Sequence, residues 1–269
     1  MYSRITGTGS YLPEKVLTNH DLEKMVDTSD EWIVERTGIK KRHIAAEGQS
    51  TCDLAEVAAR RAMEMAGKTA DDIDLIVLAT STPDLIWPST ACLLQGRLGI
   101  SGSAAFDVSA VCTGFVYALG IADKFIKSGS NKCVLVVGAE TLSNIVDWTD
   151  RGTCILFADG AGAVVLEASE EAGILSTHLH ADGQFESLLN SKGGLSKNKA
   201  LLDTGEAFVQ MKGNEVFRKA VNTLGRIVDE TLEHNNLKKS DVDWLVPHQA
   251  NIRIIQATAK KLKMSMDHV

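Results

Sequence analysis

The chain has 269 residues, 44% apolar and 23% charged, which is enough to bury a large core as one big domain or two intimate ones. Its net charge of −7 argues against non-specific nucleic-acid binding. No stretch approaches the ~18 consecutive apolar residues of a membrane span, and MYSRITGTGSYLP lacks the basic-then-apolar pattern of a secretory signal. A cytoplasmic location without membrane attachment is the expectation.

Helix and strand signals alternate along the chain. Thr51 to Ala66 carries apolar residues at Leu54, Val57, Ala58, Ala62 and Met65, a helical stripe closed by Gly67. IDLIVLAT, Ile73 to Thr80, is a continuous apolar run of strand length, suited to a sheet covered on both faces. AAFDVSAV reads as the next strand and leads through Cys112 into the helical pattern Phe115, Leu119, Ala122, Ile126. CVLVVGAE and GAVVLEA are further buried strands, and the whole predicts an α/β protein with a largely buried mixed or parallel sheet.

A weak internal repeat suggests more. ADDIDLIVLAT (70–80) matches KSDVDWLVPHQ (239–249) at an offset of 169, pairing Asp72 with Asp241, Asp74 with Asp243 and Val77 with Val246. Each copy follows an amphipathic helix, the second marked by Phe217, Ala220, Leu224, Ile227 and Val228. Chance similarity competes, but two helix–turn–strand copies suggest a duplicated fold with a site between its halves, residues 1–170 and 171–269. The second copy stops soon after His248, so the sequence is expected to end short of the close of its second half.

Five cysteines at wide spacing, with no CxxC pair, argue against a disulfide framework or a structural zinc site. Cys112 alone stands between a strand and a helix start, where Gly114 permits a close approach. The positive end of a helix favours thiolate there, and its N–H groups can face a developing oxyanion. His248 ends the run DWLVPHQ, where Pro247 stops the strand. A histidine so placed can donate to an oxygen that gains charge, or simply bond nearby backbone. FADGAGAVVLE, from Phe157, lacks the GxGxxG spacing and runs into a β-branched strand, which excludes a dinucleotide loop. Val216 to Lys263 holds nine Lys/Arg against five Asp/Glu, a basic tract that is either a solvated helix face or a site for an anionic partner.

With DEWIVERTGIKKR, DVSAVCTGFVYAL, DRGTCILFADGAGAVVL, KGNEVFRKAV and VPHQANIRI in this order, the sequence resembles the β-ketoacyl-acyl carrier protein synthase III family of the thiolase-like superfamily. The resemblance implies a five-layered αβαβα sandwich of two duplicated halves, the second incomplete here, and a homodimer. It implies that Cys112 carries the acyl group and that His248 helps activate malonyl thioester. Thr28, Trp32, Arg36, Arg151, Gly152 and Gly213 match positions at the CoA site, and Trp87 and Phe157 positions at the acyl pocket. Arg218 and the run Gln249, Ala250, Asn251, Ile252, Arg253 match the docking region for the acidic acyl carrier protein, which gives the basic tract a partner. The implied reaction joins acetyl-CoA or another short acyl-CoA to malonyl-carrier protein with loss of CO₂. It needs no metal or redox cofactor, since acyl-CoA is a substrate.

Two departures from the family pattern bear on activity. Trp87 stands where relatives commonly carry Phe, which is either a shortened pocket favouring an acetyl primer or a packing variation at the dimer contact. The family's GNTS motif, whose Asn is the third catalytic residue, would fall beyond Val269, so the chain as given is expected to be impaired in decarboxylation. A degradative thiolase needs a second catalytic cysteine towards the C-terminus, whereas the last here is Cys154. A fragment that only binds CoA or carrier protein, or is only acylated, is the alternative from another class.

Overall fold

In this computed structural model, residues 1–204 and 206–269 are described. The elements in chain order are β1 (Tyr2–Tyr11), β2 (Lys15–Thr18), α1 (Asn19–Leu22), α2 (Asp30–Thr37), β3 (Lys41–Ile44), α3 (Thr51–Ala66), β4 (Leu75–Ala79), α4 (Thr90–Leu98), β5 (Ala104–Val108), α5 (Gly114–Lys127), β6 (Cys133–Thr141), β7 (Asp159–Ser169), β8 (Leu189–Ser191), α6 (Lys199–Asp203), β9 (Val209–Met211), α7 (Gly213–His234) and α8 (Ile252–Leu262). They fall into two compact units, one of residues 1–16, 43–142 and 158–179, the other of 17–42, 143–157 and 180–269. Both units are discontinuous in sequence, unlike the cut at residue 170 that the repeat suggests.

The first unit is built on a five-stranded mixed sheet in the order β1-β7-β6-β4-β5. β6, β4 and β5 run parallel to one another, while β7 runs antiparallel to both β6 and β1. The continuous apolar run of β4 is buried throughout, because the sheet is covered on both faces. Ile76 and Leu78 point into a cluster with Ala55, Ala58 and Ala62 of α3 and Ala91 and Leu94 of α4. Leu75, Val77 and Ala79 point the other way, into Ala118, Ala122 and Ile126 of α5. This is the period-two alternation of a strand serving two helical layers.

Helix α3 is bounded as its sequence predicts. Ser50 caps its N-terminus by accepting from the Asp53 N–H, and Gly67 closes it in the left-handed conformation. Its alanine stripe lets it lie unusually close to β1. A Cβ at Gly9 would stand 2.2 Å from the Ala58 carbonyl oxygen, and one at Gly7 2.3 Å from that of Ala62. Only glycine fits at these two crossings.

The second unit has a smaller apolar core of Leu22, Ile33, Val146, Cys154 and Ile155, flanked by Trp32, Trp148 and Phe157. α7 packs on α8, and β8 pairs antiparallel with β9. One expectation is corrected here. The second copy of the repeat, Val242 to His248, is not a strand. A strand needs a ladder, and no other strand flanks this stretch among the described residues; the Leu245 N–H bonds the His268 carbonyl instead, at 3.0 Å. Trp244 and Val246 are exposed, and the Trp244 ring stacks on His268.

Candidate active site

The five thiols separate by environment. Cys52, Cys133 and Cys154 are buried, and burial pushes their pKa values up to about 12, 12 and 11. Thiols so protonated are poor nucleophiles. Cys92 and Cys112 present surface to solvent. Cys92 lies within α4, and its Sγ donates to the Ala105 carbonyl.

Cys112 occupies a short 3-10 turn, Val111–Thr113, joining β5 to α5. The preceding Val111 is held at a φ of +48°, a left-handed conformation that a β-branched residue adopts only under strain. Such strain marks a turn whose aim is fixed by its surroundings. The Thr80 N–H donates to the Val108 carbonyl at 3.2 Å, tying the end of β4 to that of β5. A Cβ at Gly114 would stand 3.1 Å from the Ala79 Cβ, so glycine lets the start of α5 settle onto β4. The Thr113 hydroxyl donates to the Ala110 carbonyl and gives α5 no side-chain cap. The N-terminal N–H groups of the helix are thus not capped by a side chain beside the thiol.

The electrostatics at Cys112 differ from what a helix end alone suggests. Although the residue reaches solvent, protein atoms crowd the sulfur, and this desolvation raises the thiol pKa above its ordinary value. The nearby Cys112 backbone N–H works against that rise, and the Glu140 carboxylate adds to it. Glu140, near the end of β6, accepts hydrogen bonds from the Ser81 N–H at 2.8 Å and the Thr82 hydroxyl at 2.7 Å, and its own pKa is raised by burial. Neither Glu140 nor the strain at Val111 enters the sequence reading. An acid at the end of a central strand was the available signal for the first; a backbone angle leaves none for the second.

His248 belongs to the second unit, in the irregular stretch that leads into the turn at Gln249 and Ala250. It too reaches solvent, yet packing around the ring holds its pKa below the usual value and favours neutral imidazole.

Among the expected CoA residues of the second unit, Arg36 and Arg151 gather on Trp32. Ser29 caps α2 by accepting from the Trp32 N–H at 3.1 Å, and Gly38 ends it at a φ of +78°. The Arg36 guanidinium lies 4.7 Å from the Trp32 ring centre and that of Arg151 5.2 Å. Arg151 also donates to the Asp27 carbonyl at 2.7 Å. Gly152 follows in a turn hung on Asp150, whose carboxylate accepts from the Gly152 N–H at 2.8 Å. The Thr28 hydroxyl is buried without a hydrogen-bond partner among the described residues. Gly213 opens α7, where an added Cβ would meet only Met211 Cε, at 3.6 Å.

The expected docking residues gather at the start of α8. Asn251 caps the helix by accepting from the Arg253 N–H at 2.9 Å, and the Arg253 guanidinium covers the Phe217 ring of α7 at 5.0 Å. Ile252 packs inward, because a Cβ at Gly38 would lie 2.9 Å from its own. Gln249 and Ala250 form the preceding turn, and Arg218 is exposed on α7. Part of the basic tract is neutralised locally, Lys219 by Asp182 and Lys261 by Asp229. Of the two acyl-pocket expectations, Trp87 is 78% exposed beside Leu85 and Ile86 in the first unit, and Phe157 flanks the core of the second.

Known proteins carry the same pattern. Residues 106–183 match the family described as 3-oxoacyl-[acyl-carrier-protein (ACP)] synthase III, and residues 232–269 its C-terminal part. The β-ketoacyl-[acyl-carrier-protein] synthase III of Thioalkalivibrio sulfidiphilus is 72% identical over 268 residues, covering 100% of this chain and 83% of the relative. That of Thiobacillus denitrificans is 64% identical over 269 residues, with the same coverage of 100% and 83%. The crystal structure of 3-oxoacyl-[acyl-carrier-protein] synthase III from Aquifex aeolicus superposes with a TM-score of 0.93 at 50% identity, over 99% of this chain and 83% of that one. The priming β-ketosynthase of the R1128 polyketide pathway superposes at 0.94 with 34% identity, over 100% and 80%. The fold is therefore the thiolase-like α/β fold of these enzymes.

Proposed function

The chain belongs to the 3-oxoacyl-[acyl-carrier-protein] synthase III family, and from that membership we propose that it starts fatty-acid synthesis by condensing a short acyl-CoA with malonyl-acyl carrier protein. It is an acyltransferase of the condensing type. What carries the residue-level reading is the setting of Cys112: a residue that reaches solvent on a strained turn, with the first N–H groups of α5 left without a side-chain cap.

In the first half-reaction the Cys112 sulfur attacks the acyl-CoA carbonyl. A carbon–sulfur bond forms to Cys112, the one to CoA breaks, and the thiol proton leaves with CoA. The uncapped N–H groups of α5 stabilise the oxyanion of the tetrahedral intermediate. In the second, malonyl-carrier protein loses CO₂, and the electron pair of the broken bond becomes an enolate. His248, held neutral by its lowered pKa, donates a hydrogen bond to the thioester oxygen that takes up this charge. The enolate carbon attacks the acyl-Cys112 carbonyl, the carbon–sulfur bond breaks, and β-ketoacyl-carrier protein leaves as the thiol is reprotonated. Decarboxylation itself supplies the carbanion, so the chemistry needs no metal or redox cofactor.

Trp32, Arg36 and Arg151 receive the adenine and phosphate end of CoA, with the unpartnered Thr28 hydroxyl, Gly152 and Gly213 bordering its path. Arg218 and the run Gln249 to Arg253 receive the acidic carrier protein. The exposed Leu85–Trp87 patch suits a homodimer contact in which Trp87 shortens the acyl pocket and favours acetyl as primer, with Phe157 also bordering that pocket. No helix among the described residues is long and apolar enough to cross a membrane, in keeping with a cytoplasmic enzyme.

Incubation with acetyl-CoA and malonyl-carrier protein tests the function. Acetoacetyl-carrier protein formed by the wild type and lost in Cys112→Ala supports it, and formation by the variant at the wild-type rate contradicts it.

A further inference from the structure

Among the described residues Arg42 is the largest fully buried side chain, 1% exposed, and no carboxylate pairs with it. Its Nε donates to the Ile155 carbonyl at 2.9 Å, its Nη2 donates to the same oxygen, and its Nη1 donates to Asn19 Oδ1 at 2.6 Å. Burial pulls its pKa down to about 10, so it remains charged at neutral pH. A buried charge held only by neutral acceptors is a poor stabilising device, since apolar residues of similar volume often serve a core as well or better. What the guanidinium offers is a rigid fork that fixes the spacing of the groups it bonds.

Those groups lead to the two halves of the Trp32–Arg151 cluster. Asn19, itself 1% exposed, uses its Nδ2 to donate to Asp30 Oδ1 and to the Ile39 carbonyl, both at 2.8 Å. Asp30 is the first residue of α2 and Ile39 follows its closing Gly38, so Asn19 grips at both ends the helix that carries Trp32 and Arg36. On the other side, Ile155 continues the turn that carries Arg151 and Gly152, in which the Thr153 and Cys154 N–H groups bond the Asp150 carbonyl at 3.2 and 3.0 Å. One polar strut, Ile155–Arg42–Asn19, thus spans from the Arg151 turn to α2.

We propose that Arg42, acting through Asn19, is a positioning residue that sets the separation of Trp32 from Arg151 and so the affinity of the enzyme for the nucleotide end of acyl-CoA. This rests on the CoA-binding reading of Trp32 and Arg151 given above. Neither Arg42 nor Asn19 touches the ligand; both act through the two segments they join.

Acetyl-CoA and acetyl-pantetheine present the same thioester, but only the first carries the nucleotide. The rate of Cys112 acetylation by each, read by intact mass, gives an enzyme's preference for the nucleotide. Arg42→Lys keeps the charge and loses the fork. Asn19→Asp keeps an acceptor for Arg42 and removes both donors to Asp30 and Ile39. In variants that unfold cooperatively on heating, the preference for acetyl-CoA falls roughly tenfold while the acetyl-pantetheine rate holds, as expected when binding groups shift by a fraction of an ångström. A preference kept within about twofold, an equal loss with both substrates, or failure of both variants to fold would overturn the positioning role and leave a scaffold role only. Trp32→Ala separates the two readings. If it keeps the wild-type preference, the nucleotide site itself is wrong; if it loses the preference while Asn19→Asp does not, only the strut is.

Discussion

The Glu140 carboxylate lies within electrostatic reach of the Cys112 sulfur, and its charge adds to the burial that raises the thiol pKa. The positive end of α5 pulls the other way, so the reactivity of Cys112 is a balance in which Glu140 opposes thiolate. Glu140→Gln keeps an acceptor for the Ser81 N–H and Thr82 hydroxyl while removing the charge. Losing a nearby negative charge lowers a thiol pKa, so the midpoint of Cys112 alkylation by iodoacetamide moves to lower pH. Peptide mass mapping separates Cys112 from the exposed Cys92; an unmoved or raised midpoint would contradict the balance.

His248 and Cys112 are assigned to different half-reactions. His248→Ala therefore leaves acetylation of Cys112 by acetyl-CoA near the wild-type rate, and slows malonyl-carrier protein decarboxylation by about 10²–10³, the usual effect of removing one oxyanion donor. Rates of adduct formation and of CO₂ release check this separately. Equal loss in both would show that His248 acts on the thiol.

The proposed docking of carrier protein at α7 and α8 rests on charge. Arg253→Glu and Arg218→Glu raise KM for malonyl-carrier protein, most strongly at low salt, and leave acetylation by acetyl-CoA unchanged. Arg253→Glu also gives up the cation–π contact with Phe217, worth about 0.5–1 kcal/mol at an exposed site. Arg253→Gln, which removes the charge without reversing it, falls between wild type and Arg253→Glu in KM if charge is the cause.

The crossing of α3 over β1 predicts a stability effect. Gly9→Ala places a methyl group 2.2 Å from the Ala58 carbonyl oxygen, which rigid backbone cannot absorb without moving the helix. Overpacking of this kind costs about 1–3 kcal/mol or more, measurable as a lower urea midpoint with an unchanged slope. Gly162→Ala, in β7 with no heavy atom within 4 Å of its built Cβ, is the control and shifts the midpoint far less.

Much of the first unit is legible because its signals are local. Gly67 ends α3, the apolar run of β4 is buried on both faces, and the passage from β5 through Cys112 into α5 follows from strand period giving way to helix period. The stretch before His248 misleads for the opposite reason. Its apolar pattern copies that of β4, but a strand is made by its neighbours, and Val242 to His248 has none beside it among the described residues. Arg42 is hidden in KKRHIA, which reads as a solvated basic run. Only alternation along β3, exposed Lys41 against buried Arg42, turns it inward, and its partners Asn19 and Ile155 are distant in sequence. The thiolase-like resemblance names Cys112, His248 and the CoA residues, but not Glu140, Val111 or Arg42, whose roles come from packing.

Whether Cys112 is the residue that takes the acyl group is read by mass spectrometry of the protein after incubation with acetyl-CoA. One acetyl group is expected, mapped to the peptide containing Cys112, absent from Cys112→Ala and unaffected by Cys92→Ala. A folded wild type that gains no acetyl group, or an adduct of equal yield in Cys112→Ala, would contradict that assignment.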